Sequence, residues 1–307
     1  MGDSLFPMAP SRECSVDNPL DLPDLNVPKL LKHHGIQPNK SLGQNFLIDS
    51  THLHRVADAG QITKQDTVLE VGAGIGSLTR LLGNQAKEVL AIELDSSLIP
   101  ILRNVTSSYQ NIQIIQGDIL RLDLEALLPA TGYLVIANIP YYITSNLIRH
   151  LLETKERPSR IVLTIQKEVA ERICAQPGDL SLLGLSVQVY GQPQILSRVP
   201  AGAFFPVPKV DSAIVLINLF SSPVIPDEQL YVFFQLAKAG FSQKRKTLKN
   251  SLSAGLRQDR TTIEKLLLEA NIEPRRRAET LSLDEWKSIT SLYLDLMSSE
   301  IPPSSHS

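Results

Sequence analysis

Between Thr67 and Ile165 short apolar runs alternate with amphipathic stretches, and this alternation confines the chain to an α/β architecture on a parallel sheet. Thr67–Val71, Glu88–Ile92, Ile112–Ile115, Tyr133–Ala137 and Arg160–Ile165 have strand length and apolar content. Ser77–Leu82, Ser96–Val105 and Thr144–Glu153 read as helices between them. Parallel neighbours need crossover connections, which are right-handed and put helices on both faces of the sheet. Two later runs, Leu185–Tyr190 and Ala213–Leu219, read as further strands added antiparallel at one edge.

The pattern changes at Ser221-Ser222-Pro223-Val224-Ile225-Pro226, a linker by composition. Beyond it Glu228–Ala239, Lys244–Ala254, Thr261–Glu269 and Leu283–Met297 read as helices. The expected organisation is a disordered extension over residues 1–26, marked by Pro7, Pro10, Pro19 and Pro23. An α/β unit over 27–222 follows, opening on a short helix at Val27–His34, and then a small all-helical domain over 223–300.

Several classes are excluded. Two cysteines, Cys14 and Cys174, make neither a disulfide framework nor a zinc cluster. His52 and His54 lack a second ligand pair, and no metal is expected; His33 and His34 read as solvated. No secretory signal opens the sequence, Phe6 stands where a myristoylation motif needs Ser or Thr, and no run is long enough to span a membrane. A cytoplasmic, soluble monomer is the expectation.

Chemistry concentrates at the carboxyl ends of the expected strands. Glu70-Val71-Gly72-Ala73-Gly74-Ile75-Gly76 closes the first strand and opens a helix. Glycines allow a tight turn and a close ligand, and a helix start offers free N–H groups. The spacing is G-x-G-x-G and not the dinucleotide fingerprint G-x-G-x-x-G, which favours a nucleoside with an amino-acid tail over a pyrophosphate. Glu93 ends the second strand, where a carboxylate accepts from ribose hydroxyls. Asp118 follows the third strand, placed to accept from an adenine amine. Each residue alone has a bland reading as a tight turn, a solvated acid or a helix cap. Together, at successive strand ends, they point to a nucleoside-type cofactor.

Asn138-Ile139-Pro140-Tyr141 follows the fourth strand at the same edge. An aromatic amine is a poor nucleophile because its lone pair is delocalised. The Asn138 side-chain oxygen and the Ile139 carbonyl can accept from its hydrogens and localise that pair. Pro140 stiffens the turn, and Tyr141 offers a face for a base.

Four blocks together resemble the ribosomal RNA adenine dimethyltransferases, the family known for kasugamycin sensitivity, over about Asn39 to Met297. They are Ser41–Leu47 (S-L-G-Q-N-F-L), Glu70–Gly76, Asn138–Tyr141, and Phe204–Ala213 (F-F-P-V-P-K-V-D-S-A). The resemblance implies a Rossmann-like S-adenosylmethionine-dependent methyltransferase fold with a small C-terminal all-helical domain. It implies that Asn45, Leu47, Gly72, Glu93, Asp118 and Asn138 hold S-adenosyl-L-methionine. Asn138, Pro140, Tyr141 and Phe204 would form the catalytic pocket, with Phe204 stacking on the target adenine opposite Tyr141. The implied activity is N6-dimethylation of two adjacent adenines near the 3′ end of small-subunit (16S) ribosomal RNA, with the pre-30S particle as partner. Two positions depart from the family pattern: Tyr142 stands where Asn is frequent, and Ala73 where Pro is common. Tyr142 bears on pocket shape and on the ease of the second methylation.

The chain carries a formal net charge of -2, so any RNA-binding surface must be local. Tyr231–Arg277 holds eleven Lys and Arg against four acids, a net +7, which leaves -9 for the remainder. Lys244, Arg245, Lys246 and Lys249 are the candidate phosphate contacts. Gln166–Arg172 reads as a helix start. Three other readings compete. One is a large-subunit RNA methyltransferase of the macrolide-resistance type. Another is a DNA adenine methyltransferase, disfavoured by Ile139 where those enzymes have a proline. The third is a non-catalytic assembly factor, disfavoured by the intact Glu93, Asp118, Asn138 and Tyr141.

Overall fold

The computed structural model describes residues 22–128 and 132–299. Most of the expected N-terminal extension, Cys14 and the last residues lie outside this range.

In chain order the elements are α1 (Val27–His33), β1 (Phe46–Leu47), α2 (Ser50–Ala59), β2 (Thr67–Val71), α3 (Ser77–Gln85), β3 (Glu88–Glu93), α4 (Ile99–Val105), β4 (Ile112–Gln116) and α5 (Leu124–Leu127). There follow β5 (Leu134–Asn138), α6 (Thr144–Glu153), β6 (Arg160–Gln166), α7 (Lys167–Ile173), α8 (Leu182–Gln188), β7 (Gly191–Val199), β8 (Phe204–Phe205) and β9 (Ser212–Leu219). The last four are α9 (Leu230–Phe241), α10 (Leu248–Leu256), α11 (Arg260–Glu269) and α12 (Leu283–Ser299).

Seven strands form one sheet in the order β4-β3-β2-β5-β6-β9-β7. The first five are parallel, and β9 runs antiparallel between β6 and β7. The central strands are apolar on both faces: Val68, Leu69, Val135, Ile136, Ile161, Val162 and Leu163 are fully buried, as strands covered by helices on both sides must be. Strand order switches direction between β2 and β5, which places a crevice at their carboxyl ends.

Two expectations are corrected. Leu185–Tyr190 is not a strand: α8 runs through most of it, started by Ser181, whose hydroxyl accepts the Gly184 N–H at 3.0 Å. The true neighbour of β9 is β7, a strand with no clear mark in the sequence. β7 lies at the sheet edge, is largely exposed, contains Pro193 and is interrupted by a bulge between Ile195 and Ser197, so it lacks an apolar run. The helix expected at Lys244–Ala254 begins only at Leu248. The Leu248 N–H is taken by the Arg276 carbonyl at 2.7 Å, which fixes the start there. Lys244, Arg245 and Lys246 therefore sit in the exposed turn between α9 and α10 and not on a helix.

Helices α9–α12 do not hang from a free linker. Ile225 is fully buried, the Val224 N–H bonds the Val189 carbonyl at 2.9 Å, and Arg157 pairs with Asp227 at 2.8 Å. One apolar cluster runs without a break from Val135 and Leu163 in the sheet through Val189 and Tyr190 to Phe233, Leu236 and Trp286. Within the helical region Gly255 permits the closest helix approach: a Cβ there would lie 2.5 Å from Ala239 Cβ and 2.8 Å from its Cα. Gly255→Ala gains about 1 kcal/mol of helix propensity. Separating two helix backbones costs more, so a net loss of about 1–2 kcal/mol is expected, measured by denaturant unfolding.

Candidate active site

The Gly72–Gly76 turn has the backbone its sequence demands. Gly72, Gly74 and Gly76 take φ of +74°, +59° and +93°, where a side chain is strained. The Gly72 and Ala73 N–H groups both bond the Ile92 carbonyl, at 2.8 and 3.1 Å, so the turn is tied to β3. Glu93 completes the tie. One carboxylate oxygen accepts the Gly74 N–H at 2.7 Å and the other the Asp95 N–H at 2.8 Å. The carboxylate is 7% exposed, and its burial raises its pKa against those two hydrogen bonds. Each oxygen retains a lone pair for a ligand hydroxyl.

Asp118 lies at the same edge after β4. It accepts the Leu120 N–H at 3.1 Å and stands 3.4 Å from the exposed Arg121. Gly72, Glu93, Asp118, Asn138, Tyr141 and Phe204 line one cleft, together with Asn45. Leu47 does not reach it. It is 3% exposed and lines a smaller cavity behind the glycine turn, shared with Glu70, Gly72 and Asn138.

The Asn138 amide is oriented by a residue from the far N-terminal block. Its Nδ2 donates to the Asn45 carbonyl at 3.1 Å, and the Asn45 Nδ2 donates to the Gly43 carbonyl at 3.1 Å. With the NH2 side of the amide turned to the Asn45 carbonyl, the Asn138 oxygen remains as an acceptor. The Ile139 carbonyl accepts no hydrogen bond among the described residues. The Tyr141 hydroxyl lies 2.8 Å from Ser212 Oγ on β9, which fixes its ring; burial raises the phenol pKa and keeps it neutral.

Phe204 comes from β8, which pairs with β1 in the register Phe46↔Phe205 and Leu47↔Phe204. Two sequence blocks distant along the chain thus meet as one ribbon. Asp211 secures the other end of the Phe204 segment through an ion pair with Arg198 and the Ala201 N–H at 2.9 Å. Arg198 holds the Asp211 carboxyl below the usual range. Phe204 is only 1% exposed, so a base reaches its ring face only by displacing a neighbour.

Three features were not assigned from sequence. Gln44 Nε2 donates to Asp95 at 2.7 Å and clamps the N-terminal block over the end of β3. Ser212 anchors Tyr141. Glu70, an acid inside the apolar run Thr67–Val71, is 1% exposed, and one of its oxygens has no hydrogen-bond partner. Burial pushes its pKa up to about 8, with the Glu93 carboxylate adding to the push. The signal was an acid at an interior strand position, where only a paired or functional charge belongs.

Of the basic candidates, Lys244, Arg245 and Lys246 are exposed, and no ion pair to them is present among the described residues. Lys249 is half-buried and pairs with Glu264 at 3.1 Å. Arg276 is bound to Glu285 and Thr280, and Arg277 lies 3.4 Å from Glu279.

The described residues lining the cleft and the cavity behind it include Glu70, Glu93 and Asp118 and no Lys or Arg. Those carboxyl acceptors suit a nucleoside bearing hydroxyl, amine and ammonium donors, and the lining offers a pyrophosphate no cationic partner. A parallel sheet with this glycine turn, two strand-end acids and an Asn-Ile-Pro-Tyr loop defines an S-adenosylmethionine-dependent methyltransferase. The chain belongs to the ribosomal RNA adenine dimethylase family, whose model matches residues 35–289.

Among curated relatives, the ribosomal RNA small subunit methyltransferase A of Dehalococcoides mccartyi is 44% identical over 262 residues, 85% of this chain and 90% of that one. The protein of the same name from Geobacillus thermodenitrificans is 40% identical and covers 87% of this chain and 95% of that one. Among solved structures, a dimethyladenosine transferase from Plasmodium falciparum superimposes with a TM-score of 0.71 at 27% identity, covering 83% of this chain and 98% of that one. The 23S rRNA methyltransferase ErmE gives a TM-score of 0.67 at 26% identity, covering 81% and 99%.

Burying an ionised Glu70 costs stability. Between the unfolded value near 4.5 and the folded value near 8 the native state holds an extra proton, so stability falls as pH rises through this window. Glu70→Gln removes that slope. The stability of the unaltered chain minus that of the variant should fall by a few kcal/mol from pH 5 to pH 8, read by urea unfolding of the cofactor-free protein. A pH-independent difference would show that Glu70 does not titrate there.

Proposed function

We propose that the chain dimethylates the N6 amines of two adjacent adenines near the 3′ end of small-subunit (16S) ribosomal RNA during small-subunit assembly. The observation that carries this reading is the bond from the Asn138 Nδ2 to the Asn45 carbonyl, which leaves the side-chain oxygen at the cleft as an acceptor for an amine. The curated relatives at 40–44% identity are named for the small subunit, which favours it over the large-subunit reading.

S-adenosyl-L-methionine supplies an electrophilic methyl on a sulfonium. Glu93 holds the ribose hydroxyls, Asp118 the adenine amine, and the Gly72 turn with Asn45 the amino-acid part, while Leu47 supports that turn from the cavity behind it. Glu70, with its unpartnered oxygen in the adjoining cavity, receives the ammonium. At the other end of the cleft the Asn138 oxygen and the Ile139 carbonyl accept from the target amine and localise its lone pair. Pro140 fixes the spacing of those two acceptors, Tyr141 bears one face of the base, and Phe204 the other. An amine that already carries one methyl keeps one hydrogen, enough for a single acceptor, so the second transfer can use the same site. Catalysis is positioning plus dipoles aimed in advance at the reacting nitrogen. Lys244, Arg245 and Lys246 grip phosphates, and Lys249, held by Glu264, contributes less.

Asn138→Ala should lower methyl transfer to unmethylated small subunits by at least about 100-fold while RNA affinity stays near normal. Near-normal turnover would overturn the acceptor mechanism. Label appearing in large-subunit RNA instead would promote the macrolide-resistance type, and cofactor and RNA binding without transfer would point to an assembly factor. Replacing Lys244, Arg245 and Lys246 together by Ala should flatten the salt dependence of RNA binding, by about one unit of log–log slope for each phosphate no longer neutralised. An unchanged slope would place the RNA elsewhere.

A further inference from the structure

We propose that Tyr142 positions the nucleotide beside the target. Its ring stacks on the neighbouring adenine of the pair while the target base occupies the cleft. The inference rests on the function proposed above.

Tyr141 and Tyr142 open a 3-10 turn, Tyr141–Ile143. Consecutive residues in such a turn project about 120° apart. Tyr141 accordingly goes to Ser212 on β9, and Tyr142 diverges from it to Gly43 in the N-terminal block. Gly43 sits at φ +60°, and a Cβ there would lie 3.2 Å from Tyr142 Cδ1 and 3.4 Å from Pro140 Cβ. The Tyr142 ring is thus backed by Gly43 yet remains 57% exposed where it lines the cleft. Its hydroxyl makes no hydrogen bond among the described residues.

An aromatic ring held from behind, exposed in front and free of polar partners does little for the fold. It is a stacking platform. A base drawn into the cleft leaves its neighbour unstacked at the mouth, where the ring supplies a replacement face. Base–aromatic stacking tolerates any base, so one platform serves whichever adenine of the pair is outside. The usual Asn at this position offers no such surface.

The test uses small subunits reconstituted with unmethylated RNA in which either both adenines are present or the neighbour is an abasic nucleotide. Tyr142→Ala should lower kcat/KM on the intact pair by about tenfold, mainly through KM, and cause little further reduction on the abasic RNA. Tyr142→Phe should restore the dependence on the neighbouring base, since only the ring is used. Cofactor affinity by calorimetry should be the same in all three proteins. Equal reductions for Tyr142→Ala on both RNAs, no reduction on either, or weakened cofactor binding would overturn the inference. Failure of the unaltered enzyme to methylate either RNA would instead overturn the proposed function, and this inference with it.

Discussion

Parallel pairing of β2 with both β3 and β5 sets the position of every group in the cleft. The in-register ladder from Thr67↔Glu88 to Val71↔Ile92 delivers the glycine turn and Glu93 to the same height. The pairing of Val68 with Leu134 brings Asn138 to that edge from the other side. A one-residue slip of β2 would turn Glu70 to the opposite face of the sheet and detach Gly74 from Glu93. The register is protected by burial, since the strands on either side of the crevice are packed on both faces with no exposed alternative for their side chains.

The N-terminal block then closes the crevice. Gln44 bonds Asp95 beyond β3, Asn45 bonds Asn138 at the end of β5, and Phe46 and Leu47 pair with the Phe204–Phe205 strand. These ties from four consecutive residues span the whole crevice. The block acts as a crossbar on the site, and the two sides of the cleft cannot separate without breaking it.

Much of this was legible in the sequence because the informative residues are punctuation. Glycines at positive φ, an acid at each strand end and Asn-Ile-Pro-Tyr all announce themselves locally. Strand β7 was not legible because an edge strand exposed to solvent loses the apolar signature, and α8 resembled a strand because a short apolar run does not declare its period. The tie between Asn45 and Asn138, the anchoring of Tyr141 by Ser212 and the engagement of Lys249 by Glu264 join residues far apart in the chain. No local pattern encodes such pairings. Arg276 shows the same limit: one of a run of three arginines, it serves Glu285 and Thr280, so a count of positive charge overstates what is free for a phosphate.

The unbroken apolar core between the sheet and helices α9–α12 has a metrical consequence. Joined without a hinge, the exposed turn at Lys244–Lys246 and the mouth of the cleft stand at a set separation. An RNA gripped at one and modified at the other must match that span. On the proposed function such a molecule would work as a caliper: it would select a nucleotide by its distance from a backbone landmark in a folded RNA, with few groups needed to read the bases between.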